Sequence, residues 1–279
     1  MSNKKRNIED VKLWLSEYNS GKISLVNINK KYKTDLVYQC KIYNLFYKKS
    51  KYKNEHRKHE IIYNFSEIKN DTEAYILGLL FADGYICHNS MGIKLIKSDD
   101  YLIESIKNYI CPSRTILYEK NSVKFVLSST EVVKNLMNHG ILYKKSSKEM
   151  KVPTLSKDLY PSFIRGVFDG DGTVFYDRKY IKVNICNTSL EFLKDLEKIL
   201  NTFNIECNFW TEKRKGKLYK IFNYESVSFR DMYRLFIKPS YISNFTKLIY
   251  NNSTLHLNRK SDILFNYVNT EVNNQITKG

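Results

Sequence analysis

Two stretches of the chain share one pattern and decide the fold. Residues 75–86 read YILGLLFADGYI, and residues 163–174 read FIRGVFDGDGTV. Each is an apolar helical run that ends in an aspartate followed by a glycine. Each also carries small residues four positions apart, which lie on one face of a helix. These pairs are Gly78 with Ala82 and Gly166 with Gly170.

The small-residue faces predict a contact between the two helices. Small side chains at this spacing let helix backbones approach closely. A glycine inside a helix costs ~1 kcal/mol relative to alanine, and both stretches contain one at the matching position. We therefore predict a helix seam that places Asp83 and Asp171 side by side at its end.

Paired carboxylates at helix C-termini are electrostatically unfavourable. The helix dipole already places negative charge there, and two neighbouring carboxylates repel each other. A divalent cation would relieve both effects. Mg²⁺ takes few carboxylate oxygens and keeps water and phosphate in its shell, so it can activate water toward a phosphodiester. The alternative is that Asp83 and Asp171 are solvated helix caps.

The two aspartates are 88 residues apart, and similar elements follow each of them. A β-branched stretch begins at Ile93 in one half and at Ile181 in the other, and an amphipathic helix follows each. Further strands are predicted at 114–120 and 122–129 in the first half, and at 207–213 and 217–229 in the second. A closing helix is predicted at 130–141 in the first half. In the second half, the segments 231–237 and 245–250 are predicted to be helical. Each half therefore reads helix, strand pair, helix, strand pair, helix.

The charge of the chain favours a polyanionic partner. Its 279 residues contain 46 Lys and Arg against 29 Asp and Glu, a net charge of +17. Nucleic acid fits this charge better than a membrane surface does, and no apolar run reaches the ~20 residues of a membrane span. The five cysteines form no C-x-x-C pair, which favours a reducing compartment. We expect the cytoplasm of a bacterial or phage-infected cell, with an organelle as the alternative.

The N-terminal segment is distinct, since residues 1–65 carry 15 Lys and Arg against 6 Asp and Glu. Three short helices are predicted, and their inward residues are Val11, Leu15, Tyr18, Ile23, Val26, Ile28, Val37, Cys40 and Leu45. The stretch YNSGKISLVNINKKYKTD, residues 18–35, resembles helix-turn-helix modules. We predict a DNA-binding domain at 1–47, with Lys41 as a contact, and a basic linker at 48–65. The alternative is a three-helix cap without base contacts.

The paired stretches also resemble a known family. ILGLLFADG at 76–84 and IRGVFDGDG at 164–172 resemble the two motifs of single-chain LAGLIDADG homing endonucleases. GILYKKS at 140–146 and LIYNNSTLHLNRKSD at 248–262 resemble the segments that close each repeat. The resemblance covers about 72–265 and implies a first repeat at 66–150 and a second at 151–279.

The resemblance implies an α+β fold of two tandem αββαββα repeats, whose antiparallel sheets form a pseudo-twofold saddle over double-stranded DNA. It implies a monomeric, Mg²⁺- or Mn²⁺-dependent endonuclease. Asp83 and Asp171 would bind the metal, the carbonyls of Ala82 and Gly170 would assist, and Lys145 and Lys260 would act on the scissile phosphate or the water. Lys144 is adjacent to Lys145 and Arg259 is adjacent to Lys260, so the alignment does not decide which residue of each pair has this role. Predicted strand contacts to DNA are Lys94, Lys124, Lys182, Lys213, Lys217 and Lys220.

Three further acidic residues are interpreted differently. Phe81 stands where the second motif has Asp169, so Asp169 is predicted to be a polar residue on a helix face and not a ligand. Asp99 and Asp100 are predicted to cap the next helix.

Other functions remain possible for this fold. An RNA maturase would bind intron RNA, and a transcription regulator would bind DNA without cutting it. A regulator is disfavoured because both carboxylates are present. The chain starts with Met-Ser and ends with ITKG, so we expect no self-splicing.

Overall fold

The computed structural model describes residues 4–20, 23–46, 59–143, 145, 149–178, 180–221 and 224–276. The chain divides into two compact units, residues 1–58 and 59–279. Most of the linker predicted at 48–65 lies outside the described residues. Its last part, 59–65, packs on the larger unit, because Phe65 is buried in that core and the Ile62 N–H bonds the Ile110 carbonyl. The predicted boundary at residue 65 is therefore too late.

The N-terminal unit has three helices: α1, Ile8–Asn19; α2, Leu25–Lys31; and α3, Leu36–Ile42. The side chains of Asn7, Ser24 and Asp35 each accept a backbone N–H at the start of one helix. Val11, Leu15 and Tyr18 of α1 pack in a small core with Ile28 and Cys40.

One predicted core residue of this unit is misplaced. Val26 is 73% exposed, whereas Ile28 is fully buried. Residues two apart lie ~200° around a helix, so both cannot face one core.

The first half of the larger unit has the predicted αββαββα order. Its elements are α4, Asp71–Ala82; β1, Gly84–Cys87; β2, Ser90–Ile96; α5, Asp100–Ile110; β3, Leu117–Tyr118; β4, Ser122–Ser128; and α6, Thr130–Asn138. The strands form an antiparallel sheet in the order β1-β2-β4-β3. Alternate residues point into the core, as in the buried Val123, Phe125 and Leu127 of β4.

The second half repeats this plan with additions. Its elements are α7, Tyr160–Asp171; β5, Gly172–Asp177; β6, Tyr180–Asn187; α8, Leu190–Asn201; β7, Cys207–Glu212; β8, Leu218–Ile221; β9, Tyr224–Val227; β10, Met232–Ile237; α9, Ile242–Tyr250; and α10, Asn258–Ile276. The second antiparallel sheet has the order β5-β6-β10-β7, while β8 and β9 form a separate hairpin.

Two secondary-structure predictions in this half are wrong. Residues 217–229 do not supply the fourth strand of the sheet, since they form the separate hairpin. That strand is β10, in a segment predicted to be helical. Leu235 and Ile237 are buried two residues apart, which is the period of a strand, and α9 begins only after Pro239.

Candidate active site

Helices α4 and α7 pack backbone to backbone along the four small residues. A Cβ atom added to Gly78 would lie 2.1 Å from the Phe163 carbonyl oxygen, and one added to Gly166 would lie 2.1 Å from the Tyr75 carbonyl oxygen. Any larger residue at either glycine would push the helices apart. The seam therefore depends on the absence of these two side chains.

The seam brings the two motif aspartates together. Asp83 caps the end of α4, where its N–H bonds the Leu79 carbonyl, and Asp171 is the last residue of α7. A Cβ atom at Gly170 would lie 3.2 Å from the Oδ2 atom of Asp83, so the Asp83 carboxylate lies against the residue that precedes Asp171. Asn187 of β6 donates its Nδ2 to Asp171 Oδ2 at 3.1 Å and orients that carboxylate.

The environment disfavours negative charge on both carboxylates. Burial raises the pKa of Asp171 to about 6; the Lys145 ammonium opposes this shift, and the Asp83 carboxylate adds to it. Burial also raises the pKa of Asp83, opposed by Lys145 and Lys260. Two adjacent carboxylates whose charged forms are disfavoured by burial form a site that a cation would stabilise.

Each predicted lysine caps the motif helix of its own repeat. Lys145 Nζ donates to the carbonyl oxygens of Leu80 and Phe81, at 3.1 and 2.8 Å, and also to that of Ala82. Burial lowers the pKa of Lys145 to about 8, and the Asp171 and Asp83 carboxylates oppose this shift. The ammonium thus lies between the C-terminal carbonyls of α4 and the two carboxylates.

Lys260 makes the corresponding contacts in the second repeat. Its Nζ donates to the carbonyl oxygens of Phe168 at 2.8 Å, Asp169 at 2.6 Å, Gly170 at 3.5 Å and Gly172 at 2.6 Å. Burial lowers its pKa to about 8. Arg259, the neighbouring candidate, points elsewhere and bonds Asp99, while Lys144 lies outside the described residues.

A cavity of about 190 Å³ opens beside Asp171. Its walls are formed by residues of both repeats: Phe81, Ala82, Lys145, Met150, Asp171, Cys186, Asn187, Thr188 and Met232. A water molecule in the liquid occupies ~30 Å³, so this space can hold several waters or a phosphate group.

The donor atoms suit a hard divalent cation. Carboxylate and carbonyl oxygens are the ligands that Mg²⁺ accepts, and Mg²⁺ uses few protein ligands. No group of three or more His, Cys, Asp or Glu at metal-binding spacing occurs in the part of the chain that the structure describes. Asp83 and Asp171 therefore fit a site in which water and phosphate complete the shell.

Asp169 is a polar residue on a face of α7, as predicted from the sequence, and the structure adds that this face is fully buried. Its Oδ2 accepts bonds from the Tyr75 hydroxyl and the Leu257 N–H, both at 2.8 Å, and its Oδ1 accepts one from the Tyr250 hydroxyl at 2.5 Å. Asp169 thus joins α4, α9 and the segment that leads to Lys260. One sign in the sequence marks this residue as unusual, since the first motif has Phe81 at the position of Asp169.

The capping hydrogen bond predicted for Asp99 does not form. Asp99 stands at the N-cap position of α5 without a capping bond, and its carboxylate instead accepts from Arg259 Nε at 3.1 Å. Asp100 is the first residue of α5.

The lysines predicted to face DNA are only partly on strands. Lys94 and Lys124 lie opposite each other on β2 and β4, and both contact the Glu119 carboxylate, at 2.7 and 2.5 Å. Lys182 lies on β6. The placement of Lys213 and Lys217 on strands is wrong, since both lie between β7 and β8. Lys220 is on β8, and Lys41 is exposed on α3.

The raised pKa of Asp171 predicts a pH-dependent stability in metal-free buffer. Between pH ~4 and 6 the native protein holds a proton that the unfolded chain releases, so the free energy of unfolding falls as pH rises through this window. Asp171→Asn removes this cost. We expect the variant to be more stable than wild type at pH 7 by about 3 kcal/mol, with the difference vanishing below pH ~4. Urea unfolding in EDTA measures the free energy of unfolding of the wild type and of Asp171→Asn at each pH. Equal pH profiles for the two proteins would contradict the prediction.

Comparisons with known proteins found partial matches to this chain. Residues 158–250 match a family model described as a LAGLIDADG-like domain. A DNA polymerase from Methanocaldococcus jannaschii is 24% identical in an alignment of 216 positions that covers 66% of this chain. The chain spans only 12% of the length of that relative.

Three solved structures resemble the chain at low identity. Mesophilic variants of the homing endonuclease I-DmoI are 15% identical, with 68% of this chain and 99% of the other covered and a TM-score of 0.46. I-DmoI in complex with DNA and Ca is 16% identical, with coverages of 70% and 94% and a TM-score of 0.43. Full-length DUF199/WhiA from Thermatoga maritima is 16% identical, with coverages of 77% and 70% and a TM-score of 0.43.

No helix among the described residues is long and apolar enough to cross a membrane. The predicted α+β fold, with two antiparallel four-stranded sheets and a central helix pair, is confirmed. The family-model match at 158–250 covers α7, the second sheet and α9, so this part of the chain resembles a LAGLIDADG-like domain.

Proposed function

We propose that the chain is a site-specific endonuclease that hydrolyses phosphodiesters of double-stranded DNA with Mg²⁺ or Mn²⁺. The observation that carries the proposal is the meeting of Asp83 and Asp171 at the end of the α4–α7 seam. One carboxylate comes from each repeat, and each stands where its helix passes into the first strand of a sheet. One such position on each side of a pseudo-twofold axis suits a reaction on two antiparallel strands.

The chain's own residues have separate tasks in this proposal. Asp83 and Asp171 hold the metal, which when bound supplies Lewis-acid activation of water and stabilises charge on the phosphate. Asn187 fixes the orientation of the Asp171 carboxylate. The carbonyls of Ala82 and Gly170 already accept bonds from Lys145 and Lys260, so we assign the metal to the carboxylates first.

The two sheets would bind the duplex on the face turned away from the helices. A pair of β-strands fits the major groove, where each base pair shows a distinct pattern of donors and acceptors. The net charge of +17 favours binding to the phosphate backbone. A single chain supplies both halves of this surface, so we propose that the enzyme acts as a monomer.

Selection of cleaved sites from a random duplex library with Mg²⁺ tests the function. We expect one dominant sequence whose two strands are cut at fixed positions, and no cleavage in EDTA. The variant carrying Asp83→Asn and Asp171→Asn is the control, and it should enrich nothing. Enrichment of bound but uncut duplexes by the wild type would instead indicate a regulator. In a separate binding assay, specific capture of intron RNA with no DNA cleavage would indicate a maturase.

The lysines provide a second test of the mechanism. Lys145→Met and Lys260→Met should slow cleavage at saturating enzyme by at least tenfold, while DNA affinity changes little, because each ammonium adjoins the carboxylates. Each variant should also lose about 1–3 kcal/mol of stability, because buried carbonyls lose their donor. Lys134→Met, at an exposed position on α6, is the control. A change confined to the salt dependence of affinity would make these lysines phosphate contacts.

We also propose that the N-terminal unit binds DNA as a helix-turn-helix module. Three short capped helices and a basic sequence support this proposal. Linked binding modules can raise affinity by roughly 10²–10⁴-fold without new chemistry.

Deletion of residues 1–58 should leave the cleavage rate at saturating enzyme unchanged and weaken binding to long duplexes. It should also flatten the dependence of log affinity on log salt, because phosphate contacts are lost, and shorten the footprint on one side. Within the full chain, Lys41→Ala should lower the salt slope by about 1, whereas Lys12→Ala, which removes a partner of Glu9 on α1, should not. An unchanged footprint and slope after deletion would make the unit a structural cap.

A further inference from the structure

The outer face of the second sheet contains an open cavity of about 400 Å³. Its walls include the side chains of Phe175, Lys182, Asn208, Trp210 and Phe236. The strand register places these residues on one face, since Phe175 lies opposite Lys182 and Phe236 lies opposite Asn208. This is the face that points away from the helices, because the alternate residues Val183 and Leu235 are buried in the core.

The cavity is aromatic and remains accessible. Phe175 is 43% exposed and Trp210 is 49% exposed, although large apolar side chains are usually buried. Contiguous exposed apolar surface of this kind marks a binding site. The guanidinium of Arg234 lies 5.9 Å from the centre of the Trp210 ring and holds it in place.

Charged side chains also line the cavity. These are Lys182, Asp177 and Lys238, and Lys238 pairs with the Glu206 carboxylate at 2.6 Å. The same face continues to the candidate active site, because Cys186 on β6 bonds the Asp171 carbonyl at 3.1 Å. A ligand that lies along the face from Asp171 would therefore reach the aromatic cavity.

The first sheet presents different chemistry on its corresponding face. Ser90 and Ser128 bond each other there at 3.0 Å, and Lys94 and Lys124 share the Glu119 carboxylate. A Cβ atom at Gly92 would meet the Tyr85 ring at 2.4 Å, so this ring covers Gly92 and its strand. The two sheets are thus equivalent in topology but not in the groups that they offer.

We propose that the aromatic cavity reads the methyl groups of thymine in one half of the DNA site, and this proposal rests on the endonuclease function proposed above. In the major groove, thymine is distinguished by its C5-methyl group, which apolar side chains contact. Phe175 is four residues along β5 from Asp171, which is ~13 Å of extended strand. At ~3.4 Å of rise per base pair, the thymines lie about four base pairs from the cleaved phosphate. The first sheet offers Tyr85, Ile96 and Leu117 beside its polar groups, but no phenylalanine or tryptophan among the described residues of its outer face, so we expect a weaker methyl contact in that half-site.

Selected sites should carry thymine about four base pairs from the cut in one half only. Replacing thymine by deoxyuridine in that half removes only the methyl group and should weaken binding in Ca²⁺ by about fourfold per contacted thymine. The same replacement in the other half should change affinity less than twofold.

Two variants locate the effect on the protein. Phe175→Ala and Trp210→Ala should bind thymine and deoxyuridine duplexes equally, because the methyl contact is already lost. Tyr176→Ala is the matched control, since Tyr176 is exposed on the same strand but points to the opposite face, and it should keep the full deoxyuridine effect. Thermal unfolding of each variant verifies its fold.

Each other result overturns the proposal. If duplexes are bound and cut but deoxyuridine has no effect, acts equally in both halves, or acts undiminished on Phe175→Ala and Trp210→Ala, the methyl reading is wrong while the endonuclease function stands. If no duplex is bound at all, the proposed function fails together with this inference.

Discussion

Asp83→Asn and Asp171→Asn should each reduce cleavage of at least one DNA strand by roughly 10²–10³-fold, with affinity for the site retained. Loss of a metal ligand removes several kcal/mol of charge stabilisation in the transition state, whereas the sheets that bind DNA are unchanged. Asparagine keeps the volume of the side chain and can still accept the bond from Asn187. The conversion of supercoiled plasmid to nicked and linear forms reports each strand separately.

Asp158→Asn is the matched control for these variants, because Asp158 is an exposed carboxylate just before α7. It should cut both strands at the wild-type rate. Affinity is measured with Ca²⁺ in place of Mg²⁺ for all four proteins. Wild-type cleavage of both strands by both single variants would show that neither carboxylate is catalytic.

Gly78→Ala and Gly166→Ala should each lower the free energy of unfolding by at least about 3 kcal/mol. Glycine to alanine normally stabilises a helix by ~1 kcal/mol, so the expected sign is the reverse of the usual one. The added methyl would lie 2.1 Å from a backbone carbonyl of the facing helix, and a backbone cannot move aside as a side chain can. Urea unfolding of each variant measures the loss.

A second glycine substitution separates packing from backbone effects. Gly216 has nothing within 4 Å of an added Cβ and a φ of +78°, so Gly216→Ala should cost only about 1 kcal/mol of conformational strain. If Gly78→Ala and Gly166→Ala unfold at the same urea concentration as wild type, the helix contact is looser than described.

The helix seam and the site at its end could be predicted because their signals are local. The spacing of Gly166, Gly170 and Asp171 lies within six residues, and the same spacing occurs once more in the chain. A repeated local pattern indicates two equivalent helices. Helix faces made of small residues leave few ways to pack these helices against each other. The fold of the first half followed from the same repeat.

Other features depend on distant partners that no local pattern identifies. Asp169 is buried because Tyr75, 94 residues earlier, and Tyr250, 81 residues later, reach its carboxylate. No spacing within the motif reveals either tyrosine. Strand β10 was missed because six residues with two buried positions suit a short helix as well as a strand. The inserted hairpin then took the place of the missing strand in the prediction.

The buried carboxylate of Asp169 restricts how this chain can recombine with its relatives. One of its donors, Tyr75, belongs to the first repeat, whereas Tyr250 and Leu257 belong to the second. A chimera that joins this second repeat to a foreign first repeat would inherit the carboxylate without that donor, unless it also carries a tyrosine at position 75. The carboxylate would keep Tyr250 and Leu257 but lose one of three donors, and a lost bond to a buried charge is costly, so Tyr75 should be transferred together with the second repeat. The second repeat is thereby matched to its own first repeat. Phe163 holds the motif position of Tyr75, so a homodimer of second repeats with the same seam would place a phenylalanine opposite Asp169 in place of the tyrosine.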